Sequence, residues 1–228
     1  MDQVKEALEF AHGVLVGEQP QKKVSSDPPD VQISKYMSFV LRHKPEAANI
    51  KLDPEGWVDI DVLIRQANKT SGAIRKLKFD RETLDRVVAA NNKKRFTVSA
   101  DGKRIRAAQG HSTKEVEIKF QEMEPPALLY HGTSTKAAIV IESEGLKPMT
   151  RHHVHLSADI LTAVDVGKRH GKPVVFTVRA KLMHQDGTKF LRSENGVWLV
   201  SAVGPEYLSK LVGDPEAIAA RLRERLRK

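Results

Sequence analysis

The stretch that decides the fold of the N-terminal half of the chain is RFTVSADGKRIRA, residues 95–107. Polar and apolar residues alternate on both sides of Asp101-Gly102, a dipeptide typical of the tight turn between antiparallel strands. The pattern therefore predicts a β-hairpin. Basic side chains cluster on and just before it, around the single acid Asp101: Lys93, Lys94, Arg95, Lys103, Arg104 and Arg106. We expect this hairpin to carry a concentrated positive charge.

Helical patterns precede the hairpin. Apolar residues recur at helical spacing over residues 31–41, and the proline that follows predicts that this helix ends close to Arg42-His43. Asp59 is a candidate N-cap of a second helix, because an aspartate side chain accepts a hydrogen bond from the first helical turn. A third helix is predicted to begin near Asp80. Three helices followed by a hairpin describe a winged helix, a variant of the helix-turn-helix plan that handles nucleic acids.

Two proline-rich breaks divide the chain into three parts. Residues 1–30 are predicted to be an N-terminal extension and linker, with a short helix over residues 2–11. Residues 31–120 form the winged-helix lobe. Residues 121–228 alternate between strand and helix patterns, which predicts a mixed α/β lobe that ends in a solvated basic helix starting at Asp214. The predicted fold class is therefore α+β.

The charge balance points to a polyanion. The 228 residues include 38 Lys and Arg against 29 Asp and Glu, which gives a net charge of +9 at pH 7. Residues 31–120 alone hold 19 basic and 11 acidic side chains. Such an excess fits a surface that binds nucleic acid, and it equally fits a surface that only keeps the protein soluble. The clustering on the hairpin favours phosphate contacts.

Composition also excludes several classes of function. The chain has no cysteine, which rules out disulfides, thiol catalysis and cysteine-ligated zinc. No apolar run approaches the length of a membrane span, and the acidic residues near the N-terminus do not fit an export signal. We therefore expect a cytoplasmic protein that does not bind membranes.

The sequence lacks the glycine-rich loops of Rossmann and Walker nucleotide sites. A different nucleotide site is offered by residues 130–134, at a predicted strand end before a helix. There Gly132 lets a ligand approach the backbone, while His131 and Thr133 supply hydrogen bonds. The alternative is an ordinary strand-to-helix turn with Thr133 or Ser134 as N-cap. The motif alone leaves both interpretations open.

A histidine-rich run follows at residues 151–157. On a strand, Arg151, His153 and His155 share one face. The run contains no cysteine and no carboxylate, so a closed four-ligand zinc site is a minority interpretation. Phosphate or pyrophosphate binding by Arg151 and His155 needs no further ligand. We expect no metal.

Taken together, these segments closely resemble the RNA 2'-phosphotransferase family, the KptA proteins, also called tRNA 2'-phosphotransferases. The matching segments run in order from about residue 31 to about residue 208, so the resemblance covers most of the chain. They are Ile33-Ser34-Lys35, Leu41-Arg42-His43, Asp53 with Gly56-Trp57-Val58, Lys94-Arg95-Phe96, Ile105-Arg106-Ala107 with Gln109-Gly110-His111-Ser112, Leu129-Tyr130-His131-Gly132-Thr133, Gly145-Leu146, Arg151 with Val154-His155-Leu156-Ser157, and Ser193 with Asn195-Gly196-Val197-Trp198.

The resemblance implies a winged-helix lobe that engages RNA and a C-terminal lobe of ADP-ribosyltransferase type that binds NAD+. It implies a two-step reaction in which an internal RNA 2'-phosphate attacks the nicotinamide ribose and expels nicotinamide, through a 2'-phospho-ADP-ribosylated RNA. The ribose O2'' then attacks that phosphate, which leaves RNA with a 2'-OH and ADP-ribose 1'',2''-cyclic phosphate. The resemblance therefore implies that NAD+ is consumed as a co-substrate, and that the reaction is of the type that removes a 2'-phosphate in tRNA splicing. The family's Arg-His-Arg-Arg tetrad corresponds to Arg42, His43, Arg95 and Arg151.

The resemblance and the charge pattern also assign binding residues. Those expected to contact NAD+ are His131, Gly132, Thr133, His155, Leu156, Ser157, Asn195, Gly196 and Val197. Those expected to contact RNA are Lys93, Lys94, Lys103, Arg104, Arg106, Gln109 and His111. Many protein-modifying ADP-ribosyltransferases carry a catalytic glutamate where Val197 stands. A carboxylate there would repel a phosphate nucleophile, so its absence fits an RNA phosphate as acceptor.

Two alternatives remain from the sequence. An ADP-ribosyltransferase that caps phosphorylated RNA or DNA ends would use the same pocket and stop after the first step. A winged-helix binding protein without chemistry would bind nucleic acid and ignore NAD+. We expect a monomer that acts on a tRNA-like RNA.

Overall fold

The computed structural model describes residues 27–91 and 93–227, which form two compact units that divide between Lys119 and Phe120. The helix predicted over residues 2–11 and most of the predicted linker lie outside the described residues. Both described units combine helices with antiparallel strands, so the α+β class is confirmed.

The first unit begins with a helix and ends with a hairpin. Its elements in chain order are α1 (Pro29–Arg42), a 3-10 turn (Pro45–Ala48), β1 (Val58–Asp59), α2 (Ile60–Thr70), α3 (Gly72–Lys76), α4 (Arg81–Ala89), β2 (Phe96–Val98) and β3 (Arg104–Ala107). The strands form one antiparallel sheet in the order β1-β3-β2. One continuous core includes the fully buried side chains Ile33, Met37, Leu41, Leu63, Leu84 and Ile105.

Short-range side-chain chemistry sets most element bounds in this unit. The predicted N-cap Asp59 is confirmed, because its side chain accepts a hydrogen bond from the Val62 N–H. The helix predicted near Asp80 begins at Arg81, and Asp80 caps it by accepting a hydrogen bond from the Thr83 N–H. The predicted hairpin forms, with Phe96 opposite Ala107. The short helix α3 was not predicted.

Helix α1 starts inside the predicted linker. Pro29 and Asp30 already belong to its first turn, where proline is well tolerated because the missing N–H would have no helical partner. Asp30 forms an ion pair with Arg86 of α4, with Oδ2 at 2.9 Å from Nε. Both side chains are exposed, so water and salt screen the pair and it contributes little stability. The boundary between linker and lobe is therefore about two residues earlier than predicted.

The second unit contains two antiparallel sheets. Its elements are β4 (Gln121–Glu122), β5 (Leu129–Ser134), α5 (Thr135–Glu144), β6 (Val154–Leu156), α6 (Ile160–Gly167), a 3-10 turn (Lys168–His170), β7 (Pro173–Val178), α7 (Ala180–Gln185), β8 (Leu191–Arg192), β9 (Trp198–Val200), a 3-10 turn (Pro205–Tyr207), β10 (Leu208–Lys210) and α8 (Pro215–Arg225). The sheet orders are β10-β7-β5 and β4-β8-β9-β6. Reciprocal backbone hydrogen bonds between Tyr130 and Ser157 join β5 to the residue that follows β6.

One face of the C-terminal helix α8 packs against the second unit, and the other face is exposed to solvent. Ala219 is fully buried, and Arg223 pairs with Asp165 of α6 at 2.7 Å. Leu226, which follows the last helical residue, is 77% exposed. Across the described residues, no helix has the length and apolar character needed to cross a membrane.

Candidate functional site

The end of helix α1 holds two of the predicted catalytic residues. Arg42 occupies the last turn and is only 8% exposed, and His43 is the C-cap residue. Ser112 contacts both of them. Its backbone N–H donates to the Arg42 carbonyl at 2.9 Å, and its Oγ lies 2.9 Å from His43 Nδ1. One serine therefore fixes the position of the Arg42-His43 pair.

Arg95 is bonded to the segment that contains Ser112. Its carbonyl accepts a hydrogen bond from the Ala108 N–H at 2.9 Å, which extends the pairing of β2 with β3. Its guanidinium donates to Asn91 Oδ1 at 3.3 Å. Burial lowers the pKa of Arg95, yet an arginine side chain stays protonated in proteins. The short segment 108–112 thus contacts Arg42, His43 and Arg95 and holds three of the four predicted catalytic residues in one unit.

The predicted RNA-binding cations fall into two groups. Lys93, Lys94 and Lys103 are exposed. Arg104 and Arg106 instead lie over the ring of Trp57, at 5.4 Å and 4.4 Å from its centroid. The guanidinium groups of the second group are less mobile than the lysine side chains, because a cation over an aromatic face is attracted to the ring. The sequence analysis missed this role of Trp57.

His111, which was predicted to contact RNA, is buried in the structure. It is 5% exposed and packs behind the turn at Gly56. A Cβ at Gly56 would lie 3.1 Å from His111 Nε2, and the φ of +81° is itself unfavourable for other residues. The observed contact of His111 is therefore with this turn. Gln109, also predicted to bind RNA, is half-buried.

Two predicted NAD+ contacts in the second unit are histidines with fixed hydrogen bonds. His131 on β5 donates from Nδ1 to the His155 carbonyl at 3.1 Å. His155 on β6 donates from Nδ1 to the His153 carbonyl at 3.0 Å. Because a carbonyl oxygen only accepts, each Nδ1 carries the proton. Burial, the largest cause, lowers the pKa of His131 and keeps its imidazole neutral. His131 Nε2 is then a hydrogen-bond acceptor.

Gly132 has a structural role in addition to the predicted one. A Cβ at this position would lie 1.7 Å from the Ala163 carbonyl oxygen of α6. The glycine therefore lets helix α6 pack against β5, and the approach of a ligand to its backbone stays a prediction. Its neighbour Thr133 is 7% exposed, and Ser134 occupies the N-cap position of α5 without a side-chain capping bond. The simple capping alternative is thus only partly correct.

Arg151 lies three residues before strand β6. β6 starts only at Val154, so Arg151 lies in the exposed segment before it. Neighbouring atoms still remove the guanidinium partly from water, which lowers the pKa of Arg151. Leu156 is 1% exposed, so its side chain belongs to the core. Ser157 is held by its backbone bonds to Tyr130.

The predicted contact segment 195–197 is a tight turn before β9. Ser193 organises it, because its Oγ donates to Asn195 Oδ1 at 2.7 Å and accepts from the Val197 N–H at 3.0 Å. Asn195, Gly196 and Val197 are all half-buried. The turn is therefore rigid, and no carboxylate occupies the Val197 position.

A basic loop that the sequence analysis did not single out lies beside β5. Residues 168–172, with the sequence KRHGK, are all exposed. The available signal was charge density, since four of the five residues are Lys, Arg or His. Within the described ranges, no group of three or more potential metal ligands comes together.

Comparisons with known proteins agree on one family. Residues 28–202 match the model of the RNA 2'-phosphotransferase, Tpt1 / KptA family. The chain is 51% identical over 180 residues to a probable RNA 2'-phosphotransferase of Pseudomonas syringae pv. tomato, which covers 79% of this chain and 94% of the relative. A protein of the same description from Burkholderia lata is 48% identical over 192 residues, covering 83% and 96%. One from Shigella boydii serotype 18 is 54% identical over 175 residues, covering 77% and 92%. The chain belongs to the RNA 2'-phosphotransferase, Tpt1 / KptA family.

Proposed function

We propose that this protein removes an internal 2'-phosphate from RNA by transferring it to NAD+. The observation that carries the proposal is the gathering of Arg42, His43 and Arg95 around the segment 108–112. We further propose that the first unit is a winged-helix lobe and that the second is an ADP-ribosyltransferase-type lobe. The element order of the first unit, with β1 and β2 flanking β3, supports the former. The two joined antiparallel sheets support the latter.

Arginines suit the proposed substrate. A 2'-monophosphate carries close to two negative charges, and a guanidinium fork binds its oxygens in pairs without losing a proton. Arg42 is buried and Arg95 is half-buried, so water competes less for them than for surface cations. Preorganised cations in such a setting stabilise developing charge strongly. We assign Arg42, Arg95 and Arg151 to the phosphate.

The proposed chemistry has two balanced steps. A 2'-phosphate oxygen forms a bond to C1'' of the nicotinamide ribose while the bond to nicotinamide breaks, and nicotinamide leaves with the electron pair. The ribose O2'' then bonds to phosphorus, and the bond from phosphorus to the RNA O2' breaks. O2'' loses a proton and the RNA O2' gains one. His43, bonded to the hydroxyl of Ser112, is our candidate for this proton transfer.

The second unit supplies groups that fit the ribose of NAD+. With Nδ1 of His131 and of His155 donating to carbonyls, the neutral form of each ring offers its lone pair at Nε2. A lone pair accepts a hydrogen bond from a ribose hydroxyl, whereas it repels a phosphate oxygen. We therefore propose that these histidines bind ribose hydroxyls and leave the phosphates to cations.

The test uses the purified full chain with NAD+ and a short RNA that carries one internal 2'-phosphate. We expect loss of the phosphate only with NAD+, one nicotinamide per phosphate, and a cyclic-phosphate ADP-ribose product. Arg95→Ala and Arg151→Ala are each expected to abolish or stall turnover, while Arg221→Ala on α8 serves as the matched arginine control.

Other outcomes would redirect the proposal. Nicotinamide release with the phosphate retained and ADP-ribosylated would indicate a capping transferase. RNA binding without any response to NAD+ would indicate a binding protein. Full activity of both Arg95→Ala and Arg151→Ala would refute the residue assignment.

A further inference from the structure

The basic loop, residues 168–172, is held beside the end of strand β5 and the first residue of helix α5. At its start, Gly167 packs so closely that a Cβ there would lie 2.8 Å from the Thr133 carbonyl oxygen. At its end, the Lys172 carbonyl accepts a hydrogen bond from the Thr135 N–H at 3.2 Å. The 3-10 turn between them contacts β5 as well. The loop therefore has a fixed place next to the strand that carries His131.

The cations of this loop differ in their partners. Lys168 is neutralised by Glu216 of α8, with Nζ at 2.6 Å from Oε1. In the part of the chain that the structure describes, Arg169 and Lys172 form no ion pair. Neighbouring atoms partly remove the Arg169 guanidinium from water and lower its pKa, although the residue as a whole is exposed. A partly desolvated cation without a carboxylate partner carries an energetic cost that a bound anion would relieve.

His170 connects the loop to His131. Burial is the main cause of the lowered pKa of His131, and the charge of His170 lowers it further. The two imidazoles are thus close enough to interact. Within one unit, a neutral acceptor suited to a hydroxyl stands beside a group of cations suited to phosphate.

We infer that the basic loop binds the pyrophosphate of the dinucleotide co-substrate, with Arg169 as the main contact and His170 and Lys172 beside it. The inference rests on the proposed use of NAD+. In a dinucleotide the pyrophosphate is joined to each ribose through a single C5' carbon, so its subsite has to adjoin the groups that bind the ribose hydroxyls. The loop meets this requirement because it lies against the strand of His131 and Thr133.

The test is calorimetric titration of the full chain, without RNA, with three probes: ADP-ribose, ADP and adenosine. Arg169→Ala is expected to weaken ADP-ribose and ADP binding about ten- to a hundredfold, since a charge-assisted hydrogen bond is lost. Adenosine binding should stay unchanged, because adenosine has no phosphate. Arg169→Lys should restore part of the affinity. Arg221→Ala, an exposed arginine of the same unit without an ion pair among the described residues, is the matched control.

Each remaining outcome overturns the inference. Unchanged ADP-ribose affinity in Arg169→Ala shows that the loop does not bind the pyrophosphate. Weaker binding of the 2'-phosphorylated RNA, with ADP-ribose binding intact, assigns the loop to RNA phosphates. If the wild-type protein neither binds ADP-ribose nor consumes NAD+, the proposed function fails and the inference falls with it. Active wild-type enzyme with an unaffected Arg169→Ala variant refutes the inference alone.

Discussion

His43 in the first unit and His131 in the second differ in the atom that each ring nitrogen meets. His43 Nδ1 faces the hydroxyl of Ser112, which donates or accepts, so the imidazole can carry its proton on either nitrogen. His131 Nδ1 faces a backbone carbonyl, which only accepts, so its neutral form is a single tautomer. The same residue type therefore has two accessible tautomers in the first unit and one in the second, which fits the proposed proton transfer by His43 and the proposed ligand binding by His131.

The arginines show a parallel contrast. Arg42 is buried in a helix end and bound through its backbone to Ser112, whereas Arg151 lies in an exposed segment before β6. Packing therefore restricts the Arg42 side chain in the first unit, whereas the exposed Arg151 side chain in the second unit is less restricted. Ordering such a side chain on substrate costs conformational entropy that Arg42 has already lost on folding.

His43→Ala is expected to reduce activity more than any other single change considered for the two histidines. Loss of a proton-transfer group should reduce kcat about 10²–10⁴-fold. Affinity for ADP-ribose should remain at the wild-type value, because His43 has no proposed role in the second unit. Turnover assays together with calorimetry measure both. His184→Ala, a histidine bonded to a carbonyl outside the site, is the control. A kcat close to that of wild type would contradict the assignment of His43.

His131→Ala should have a smaller and different effect. Removing one neutral hydrogen bond is expected to weaken NAD+ binding about three- to tenfold while kcat at saturating NAD+ changes little. The measurement is the separation of KM from kcat in initial rates. His131→Gln, whose amide oxygen is an acceptor, should recover part of the affinity. If kcat fell as far as in His43→Ala, the contrast between the two histidines would be wrong.

Ser112→Ala tests whether the hydroxyl partner of His43 matters for its proposed role. It removes the hydroxyl that orients His43 and keeps the backbone N–H that binds Arg42. We expect kcat to fall about two- to fivefold, as one hydrogen bond is lost, and the pH profile of kcat to shift. Ser112→Thr keeps the hydroxyl and should restore both. Equal damage in the alanine and threonine variants would point to packing instead.

The smallest predicted effect is on stability. Because burial lowers the pKa of His131, the folded protein binds fewer protons than the unfolded chain below the ordinary imidazole pKa of about 6.5. Stability is thus fully present above that pH and is lost as the pH falls toward the folded pKa. His153, whose pKa is also lowered mainly by burial, contributes with the same sign.

The measurement is thermal unfolding between pH 7.5 and pH 5, reported by Trp198 fluorescence in a Trp57→Phe background so that the signal comes from the second unit. In this background Tm should decrease as the pH falls, and His131→Gln should flatten the decrease by removing one titrating group. An identical slope with and without His131→Gln would contradict the role of burial.

Local features of the fold were predictable from sequence. Asp59, Asp80 and Asp214 cap helices because a side chain reaches backbone groups only two or three residues away. The Asp101-Gly102 hairpin likewise needs only its own turn chemistry and the alternation of its flanks. Such rules act over a few residues, so the sequence shows them directly.

The contacts that build the site were not predictable in this way. His43 and Ser112 are 69 residues apart in the sequence, and Arg106, which lies over Trp57, belongs to a strand far from Trp57 in the sequence. Nothing local to either residue specifies these pairs, because tertiary packing brings them together. The resemblance to a family supplied the candidate residues, and the structure supplied the partners that distinguish their roles.

The contact between Gly132 and helix α6 has a consequence for mutational scanning. The atoms that crowd a Cβ at Gly132 belong to the backbone of α6, and those that crowd one at Gly167 include the Thr133 carbonyl. A change of side chain at Ala163 or Thr133 therefore cannot make room, and neither glycine can be rescued by a second-site substitution in the other. A scan that scores activity alone would mark both positions as essential, although the lost property would be the ability of the strand and the helix to fold against each other.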